Sequence, residues 1–351
     1  MFLLILLHVP LGVAMGATGV VGFALMADWA PAFSLIASET ANAFTSMDLA
    51  TIPLFILMGG LAGVAGLSDD LYRMAQALVG HRRGGLSVAT VSGCAAFGAV
   101  CGSSIATTAT FGRVALPSMI KRGYSPGFAT GTIAAGGTLG VLVPPSVIMV
   151  IYAVLAEQLI VTLYIAAIVP ALLALALHFV AIGVATRLRP GIAPAGEPMP
   201  WPERMREARH AGPVLSMIGI VLGGISFGVF TATEGAAVGA TLAFGFALWR
   251  RKLTRVSLSA ALKETASTTA MIYLIIIGAS LFGYFVTLSR APQAMVEAIT
   301  GSGWPVPVLM ALLMGMFILL GAVFDELAAM VITMPFVLPL VLSWGFDPVW
   351  W

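Results

Sequence analysis

The chain has 351 residues, of which 60% are hydrophobic and only 9% charged. Soluble domains run nearer half apolar and a quarter charged, so a water-soluble globular protein is excluded. With 17 basic against 15 acidic residues the net charge is +2, which also excludes a nucleic-acid-binding footprint.

The few charges cluster between apolar runs of about twenty residues, the length that crosses a bilayer as helix. The pattern is that of an all-α polytopic membrane protein. In chain order, an apolar stub covers 1–8 and lacks the basic start of a cleavable signal peptide. Helices are predicted near 10–27 and 48–66. An amphipathic helix over 69–80 follows, with Leu71, Met74 and Leu78 on one face and Arg73 and Gln76 off it. Two half-length apolar segments, 86–101 and 104–119, meet at Gly102-Ser103-Ser104. A long segment over 126–157 is interrupted by Gly137-Thr138-Leu139-Gly140 and by Pro144-Pro145. Further helices are predicted near 161–186, 212–230, 234–249 and 266–288, with 187–211 a polar, arginine-rich connector. After an amphipathic piece near 291–300, half-length segments 304–323 and 326–343 meet at Asp325-Glu326.

The chain matches itself. Residues 12–25, GVAMGATGVVGFAL, align without gaps on 235–248, GAAVGATLAFGFAL, with nine identities in fourteen. At nearly the same offset Ala106, Leu116, Pro117, Gly123 and Pro126 fall on Ala328, Leu338, Pro339, Gly345 and Pro348, and Ser103-Ser104 falls on Asp325-Glu326. Two matches at nearly one offset, prolines included, predict an internal duplication. The expected organisation is a first repeat over 1–186, a basic connector over 187–211 and a second repeat over 212–351.

Basic residues prefer the cytoplasmic side. If the segments cross as predicted, 15 of the 17 basic residues share one face, and only Arg113 and Arg290 do not. The pair 86–119 then opens to the cytoplasm among Arg82, Arg83, Lys121 and Arg122. The pair 304–343 opens outward at Gly301-Ser302-Gly303 and Ser343-Trp344-Gly345. Each pair is expected to be a re-entrant hairpin, entering from opposite sides, because sixteen apolar residues over 86–101 are too few for a crossing. Inverted repeats with broken helices are the architecture of alternating-access secondary transporters. Carbonyls freed at such breaks suit a hard cation, and half-helix N-termini attract an anion.

Gly102-Ser103-Ser104-Ile105-Ala106-Thr107-Thr108 gives a tight turn followed by hydroxyls at a helix start. Ser and Thr oxygens with freed carbonyls suit Na⁺, although a plain N-cap or helix-packing hydroxyls would use the same residues. In the run from Gly137 to Ser146, Pro145 removes a donor and forces Pro144 out of helix. Asp325 and Glu326 are costly at membrane depth and so are functional candidates, unless they sit at a wetted tip. Arg113, inside a half-segment, either approaches an anionic substrate or pairs with backbone carbonyls. Thr231-Ala232-Thr233-Glu234 reads as a capping box. Cys94 and Cys101, about 10 Å apart by helical rise, are too far apart for a disulfide and read as small fillers. The four histidines are scattered, and no HExxH, Walker A or GxSxG motif occurs, so neither ATP hydrolysis nor another enzyme activity is expected.

Three stretches carry a family resemblance: IPLFILMGGL (52–61), GSSIATTATFGRVALPSMIKRGYSP (102–126) and ATGTIAAGGTLGVLVPPSVIMVIYAVLAEQ (129–158). With TATEGAAVGA (231–240) and the 324–340 region, the whole chain resembles the large, DctM-like membrane subunit of tripartite ATP-independent periplasmic (TRAP) transporters. The resemblance implies an elevator-type, Na⁺-driven, multi-pass transporter of the bacterial inner membrane. Its solutes would be carboxylates (C4-dicarboxylates, keto acids or sugar acids) delivered by a periplasmic solute-binding protein. A small four-helix, DctQ-like membrane subunit would accompany it, and Na⁺ would be the coupling ion, with no other cofactor. In such proteins the first hairpin tip and first helix break form one cation site, here Gly102, Ser103, Ser104, Gly137, Thr138, Gly140, Val143 and Pro144. Na⁺ itself would lie at Ser103, Gly137 and Thr138. Asp325 would contribute to a second cation site, and Ser104, Thr107, Thr108, Arg113, Pro145 and Ser146 would contact solute. The nearest alternative is another inverted-hairpin, ion-coupled anion permease that works without a binding protein. By the repeat offset, the counterpart of the first helix break falls at 359–367, past Trp351, and residues 1–8 match only the tail of 212–230. The sequence is therefore expected to lack the end of its second repeat and a few N-terminal residues.

Overall fold

The computed structural model describes residues 1–301 and 303–351; Ser302, at the expected outer end of the second hairpin, lies outside the described residues, as does the side chain of Val323. The elements are α1 (Phe2–Leu6), α2 (Leu11–Met26), α3 (Trp29–Thr45), α4 (Thr51–Ala65), α5 (Leu67–Val79) and α6 (Gly85–Cys101). Next come α7 (Ser104–Val114), α8 (Leu116–Lys121), α9 (Pro126–Leu142), α10 (Val147–Leu155) and α11 (Ile160–Leu188). A 3₁₀ turn at Pro190–Ile192 leads to α12 (Trp201–His210), α13 (Gly212–Ser226), α14 (Ala232–Trp249) and α15 (Arg255–Leu288). The chain continues with α16 (Ala291–Thr300), α17 (Val306–Val323) and α18 (Glu326–Ser343). No strand occurs among the described residues.

By length and composition α11, α15 and α18 can each cross a membrane alone, and the bent pairs α4–α5, α9–α10 and α12–α13 raise the number of spans to six. Apolar α6 has 17 residues, short of a straight crossing.

Several elements depart from the sequence expectation. α3 was not anticipated, because Ser38, Glu39, Thr40 and Asn42 break its apolar run; Asp28 starts it by accepting from the Trp29 N–H at 2.7 Å. The polar connector contains α12, and α15 starts eleven residues early at Arg255. The segment 104–119 divides at Ala115, where Pro117 enters the first turn of α8. On α5, Leu67, Leu71 and Ala75 are buried, whereas Leu78 is exposed. The capping box is present: Glu234 N–H donates to Thr231 Oγ1 at 3.2 Å, and Thr231 N–H donates to Glu234 Oε2 at 2.9 Å. Both cysteines are free and buried.

Two compact units form, and each draws on residues from both 1–186 and 212–351. One holds residues 50–150 and 160–266. In it α6, α7 and α8 fold back as a hairpin. Leu86 N–H donates to Tyr124 Oη at 3.1 Å near the open end, and Phe97 meets Phe111 further in, with ring centroids 6.1 Å apart. Cys101 Sγ lies 3.1 Å from Thr107 Oγ1 at the tip. The connector closes the open end: the Ile192 and Ala193 carbonyls accept from Ser125 N–H (2.9 Å) and Gly84 N–H (3.3 Å). Val91 and Ala95 of α6, Leu139 of α9 and Ile182 of α11 form a core around this hairpin. α14 packs along α4, with Gly239 against Met58.

The other unit holds residues 1–49, 151–159 and 267–351. Here Gly12, Gly19 and Gly22 of α2 lie against Leu274, Leu281 and Phe285 of α15. Lipid tails are as apolar as leucine, so small residues that permit close backbone approach drive such contacts. α17 and α18 share a core of Leu313, Val337 and Val341, flanked by Phe317, Trp344, Phe346 and Trp351.

Candidate functional site

The hairpin tip is built by two backbone choices. Gly102 ends α6 at φ +60°, a left-handed conformation that glycine adopts without steric cost. Ser103 is extended (φ −135°, ψ 127°), and its Oγ accepts from Ala106 N–H at 3.3 Å, starting α7. Facing it, α9 stops at Leu142 and α10 begins at Val147. Pro144 and Pro145 carry no N–H, so the Gly140 and Val141 carbonyls lose the donors that a continuous helix would supply.

Tip and break touch. Val147 N–H donates to the Gly102 carbonyl at 3.4 Å. A Cβ built on Gly102 would stand 3.0 Å from the Pro145 carbonyl oxygen; one on Gly140 would stand 2.7 Å from Thr107 Oγ1 and 2.9 Å from the Ser103 carbonyl oxygen. One on Gly137 would collide with Thr108 Oγ1. The glycines of α9 thus admit the hydroxyl face of α7.

Ser104, Thr107 and Ser146 are buried. Ser146 Oγ has no hydrogen-bond partner among the described residues, while the Ser146 carbonyl accepts from Tyr164 Oη at 3.4 Å. A buried hydroxyl without a partner carries a penalty of about 1–3 kcal/mol, which a bound ligand relieves.

Of the residues singled out from sequence, Gly102, Ser103, Thr107, Thr108, Gly137, Gly140, Pro145 and Ser146 meet here, with Ser104 and Pro144 adjoining in the chain. Thr138 is exposed and its hydroxyl donates to the Ala135 carbonyl of its own helix at 2.7 Å. Val143 is half-buried, its N–H satisfied by the Leu139 carbonyl. Arg113 is exposed in the last turn of α7, about 13 Å from Ser104 by helical rise. Asp325 belongs to the other compact unit, where it caps α18 by accepting from Leu327 N–H at 3.2 Å; Glu326 opens the same helix.

Three participants escaped the sequence reading. Gly98 of α6 backs onto Gly140, Cys101 meets Thr107, and Tyr164 reaches the Ser146 carbonyl. Tyr164 alone left a signal, as the one tyrosine in an otherwise largely apolar helix.

Residues 1–351 match the family described as "Tripartite ATP-independent periplasmic transporter, DctM component". The chain belongs to this DctM family. It is 31% identical over 369 residues to the C4-dicarboxylate TRAP transporter large permease protein DctM of Vibrio cholerae, covering 99% of this chain and 80% of that one. To the DctM of Pseudomonas aeruginosa it is 36% identical, covering 89% of this chain and 72% of the relative. Other DctM-like relatives are named for ectoine and sialic acid. The crystal structure of the Alcanivorax borkumensis YdaH transporter superposes with a TM-score of 0.69 at 15% identity, over 97% of this chain and 83% of that one, a likeness of fold. This DctM-family chain is a multi-pass membrane permease subunit and not an enzyme.

Proposed function

We propose that this DctM-family subunit moves carboxylate-bearing solutes inward, coupled to Na⁺, across the bacterial inner membrane. It works with a small four-helix membrane subunit and a periplasmic solute-binding protein that delivers the solute. The reading rests on one observation above all: the buried, unpartnered Ser146 hydroxyl beside a hairpin tip and a helix break. The Ser103 and Pro145 carbonyls face the same crossing, and the prolines free those of Gly140 and Val141. Neutral oxygens of this kind suit Na⁺, which asks for no charged ligand. Ser103 contributes its carbonyl, because its hydroxyl is committed to capping α7.

The two hairpin tips divide the labour by charge. The N-terminus of α7 carries hydroxyls and no acid, so its dipole remains available to a carboxylate. The N-terminus of α18 carries Asp325 and Glu326, which disfavour an anion and favour a cation. Solute held at the first tip and Na⁺ behind it stabilise each other, and the tip-plus-break assembly then carries both across the bilayer.

Thermal unfolding of the purified chain tests the coupling. NaCl should raise the melting temperature more than KCl or choline chloride at equal ionic strength. Equal shifts with all three salts would remove the basis for a Na⁺ site.

A further inference from the structure

Three helix ends meet at one level in the unit that holds residues 50–150 and 160–266. α4 ends at Ala65 and turns by 66° into α5, α12 and α13 meet at 51°, and α14 ends at Trp249. Arg250 ties the three together. Its guanidinium pairs with Asp70 of α5 and donates to the carbonyls of Ala65 and His210, each at 3.3 Å. Points where charged helices leave apolar ones mark the height of a membrane surface. Trp249, 73% exposed at the end of an apolar helix, stands where interfacial tryptophans are found.

A cavity of about 410 Å³ opens at this level, lined by Asp70, Arg209, His210, Pro213, Trp249 and Arg250. Its charge balance is positive. Arg250 neutralises Asp70, whereas Arg209 is exposed and forms no ion pair among the described residues. Arg251 and Lys252, both exposed, continue the basic run. Leu215 and Ile220 of α13 and Phe244 and Leu248 of α14 are exposed apolar residues on the helices that run from this level into the membrane.

We propose that this cavity binds the headgroup of an anionic phospholipid. The phosphate lies against Arg209 and Arg250, Trp249 packs at the glycerol level, and the acyl chains follow α13 and α14. The positive balance selects an anion, and the adjoining apolar helix faces select a lipid over a soluble one.

Native mass spectrometry of the purified chain, titrated with phosphatidylglycerol and phosphatidylcholine, tests the site. Wild type should retain phosphatidylglycerol preferentially, and Arg209→Gln should lower that preference about five-fold, the effect of removing one basic group near the headgroup. Arg187→Gln, which removes an exposed charge at the end of α11, should leave it unchanged. Equal losses from both variants would reduce the effect to general surface attraction and overturn the proposal. Displacement of the lipid by millimolar inorganic phosphate would do the same, by making this a soluble-anion site. A second readout is independent of Arg209: phosphatidylglycerol with brominated chains should quench wild-type fluorescence more than that of Trp249→Phe. Identical quenching of the two proteins would place the lipid elsewhere.

Discussion

Gly98 of α6 and Gly140 of α9 meet backbone to backbone: a Cβ on Gly98 would lie 2.5 Å from the Gly140 Cα. That approach brings the Ser103 carbonyl and the Thr107 hydroxyl to the end of α9. Gly98→Ala has no side chain to push aside and must separate the two helices. A cost of about 1–3 kcal/mol is expected in detergent unfolding, with loss of any Na⁺-specific stabilisation. Gly63→Ala is the control: space around Gly63 is open and its helix is regular, so that substitution should be neutral or slightly stabilising.

Ser146→Ala separates stability from coupling. The wild-type hydroxyl is buried without a partner, so deleting it relieves a penalty and should leave the ion-free protein as stable or more stable, by up to about 1–3 kcal/mol. On the proposed Na⁺ reading the same deletion removes a ligand, so the difference between NaCl and KCl melting temperatures should shrink. Unfolding scans in the two salts measure both. A variant less stable in KCl, with its Na⁺ response intact, would make Ser146 a packing residue.

Much of this was readable before any coordinates. The lengths of apolar runs and their Gly and Pro punctuation located the hairpin 86–119 and the break at Pro144-Pro145, because backbone preferences there are local. α3 was not readable: its polar residues hide a helix whose burial is limited to Ala32 and Ala43. Nor could spacing along the chain pair Gly98 with Gly140 or Tyr164 with Ser146, since these contacts arise from packing between elements. Nor does residue type fix where a side chain points: the Thr138 hydroxyl donates to the Ala135 carbonyl of its own helix. Gly12 and Gly16 lie against α15, whereas Gly235 and Gly239, aligned with them in the sequence, lie against Ile225 and Met58.

The α2–α15 contact depends on that glycine spacing. A side chain at Gly278 would run into the Gly12 carbonyl, which cannot yield without moving α2. Gly278→Val should therefore destabilise by about 1–3 kcal/mol, whereas Gly283→Ala, five residues on with open space around it, should not. Limited proteolysis of the segment between α2 and α3 would report the loosening directly.

Arg250 and Asp70 form the only ion pair among the described residues, with both side chains largely shielded from solvent. Arg250→Gln would strand the Asp70 carboxylate and remove the donors to the Ala65 and His210 carbonyls, which are C-terminal groups of α4 and α12. Because the pair is only partly buried and lines an open cavity, the loss should be about 1–3 kcal/mol, the range for hydrogen bonds to a charged group. Asp70→Asn alone should cost less, since Arg250 keeps its carbonyl partners. The double variant should be more stable than Arg250→Gln alone, because no uncompensated carboxylate remains. A double-mutant cycle by detergent unfolding measures the coupling. Additive losses would mean that Arg250 acts through the two carbonyls alone, as a clamp on the helix ends.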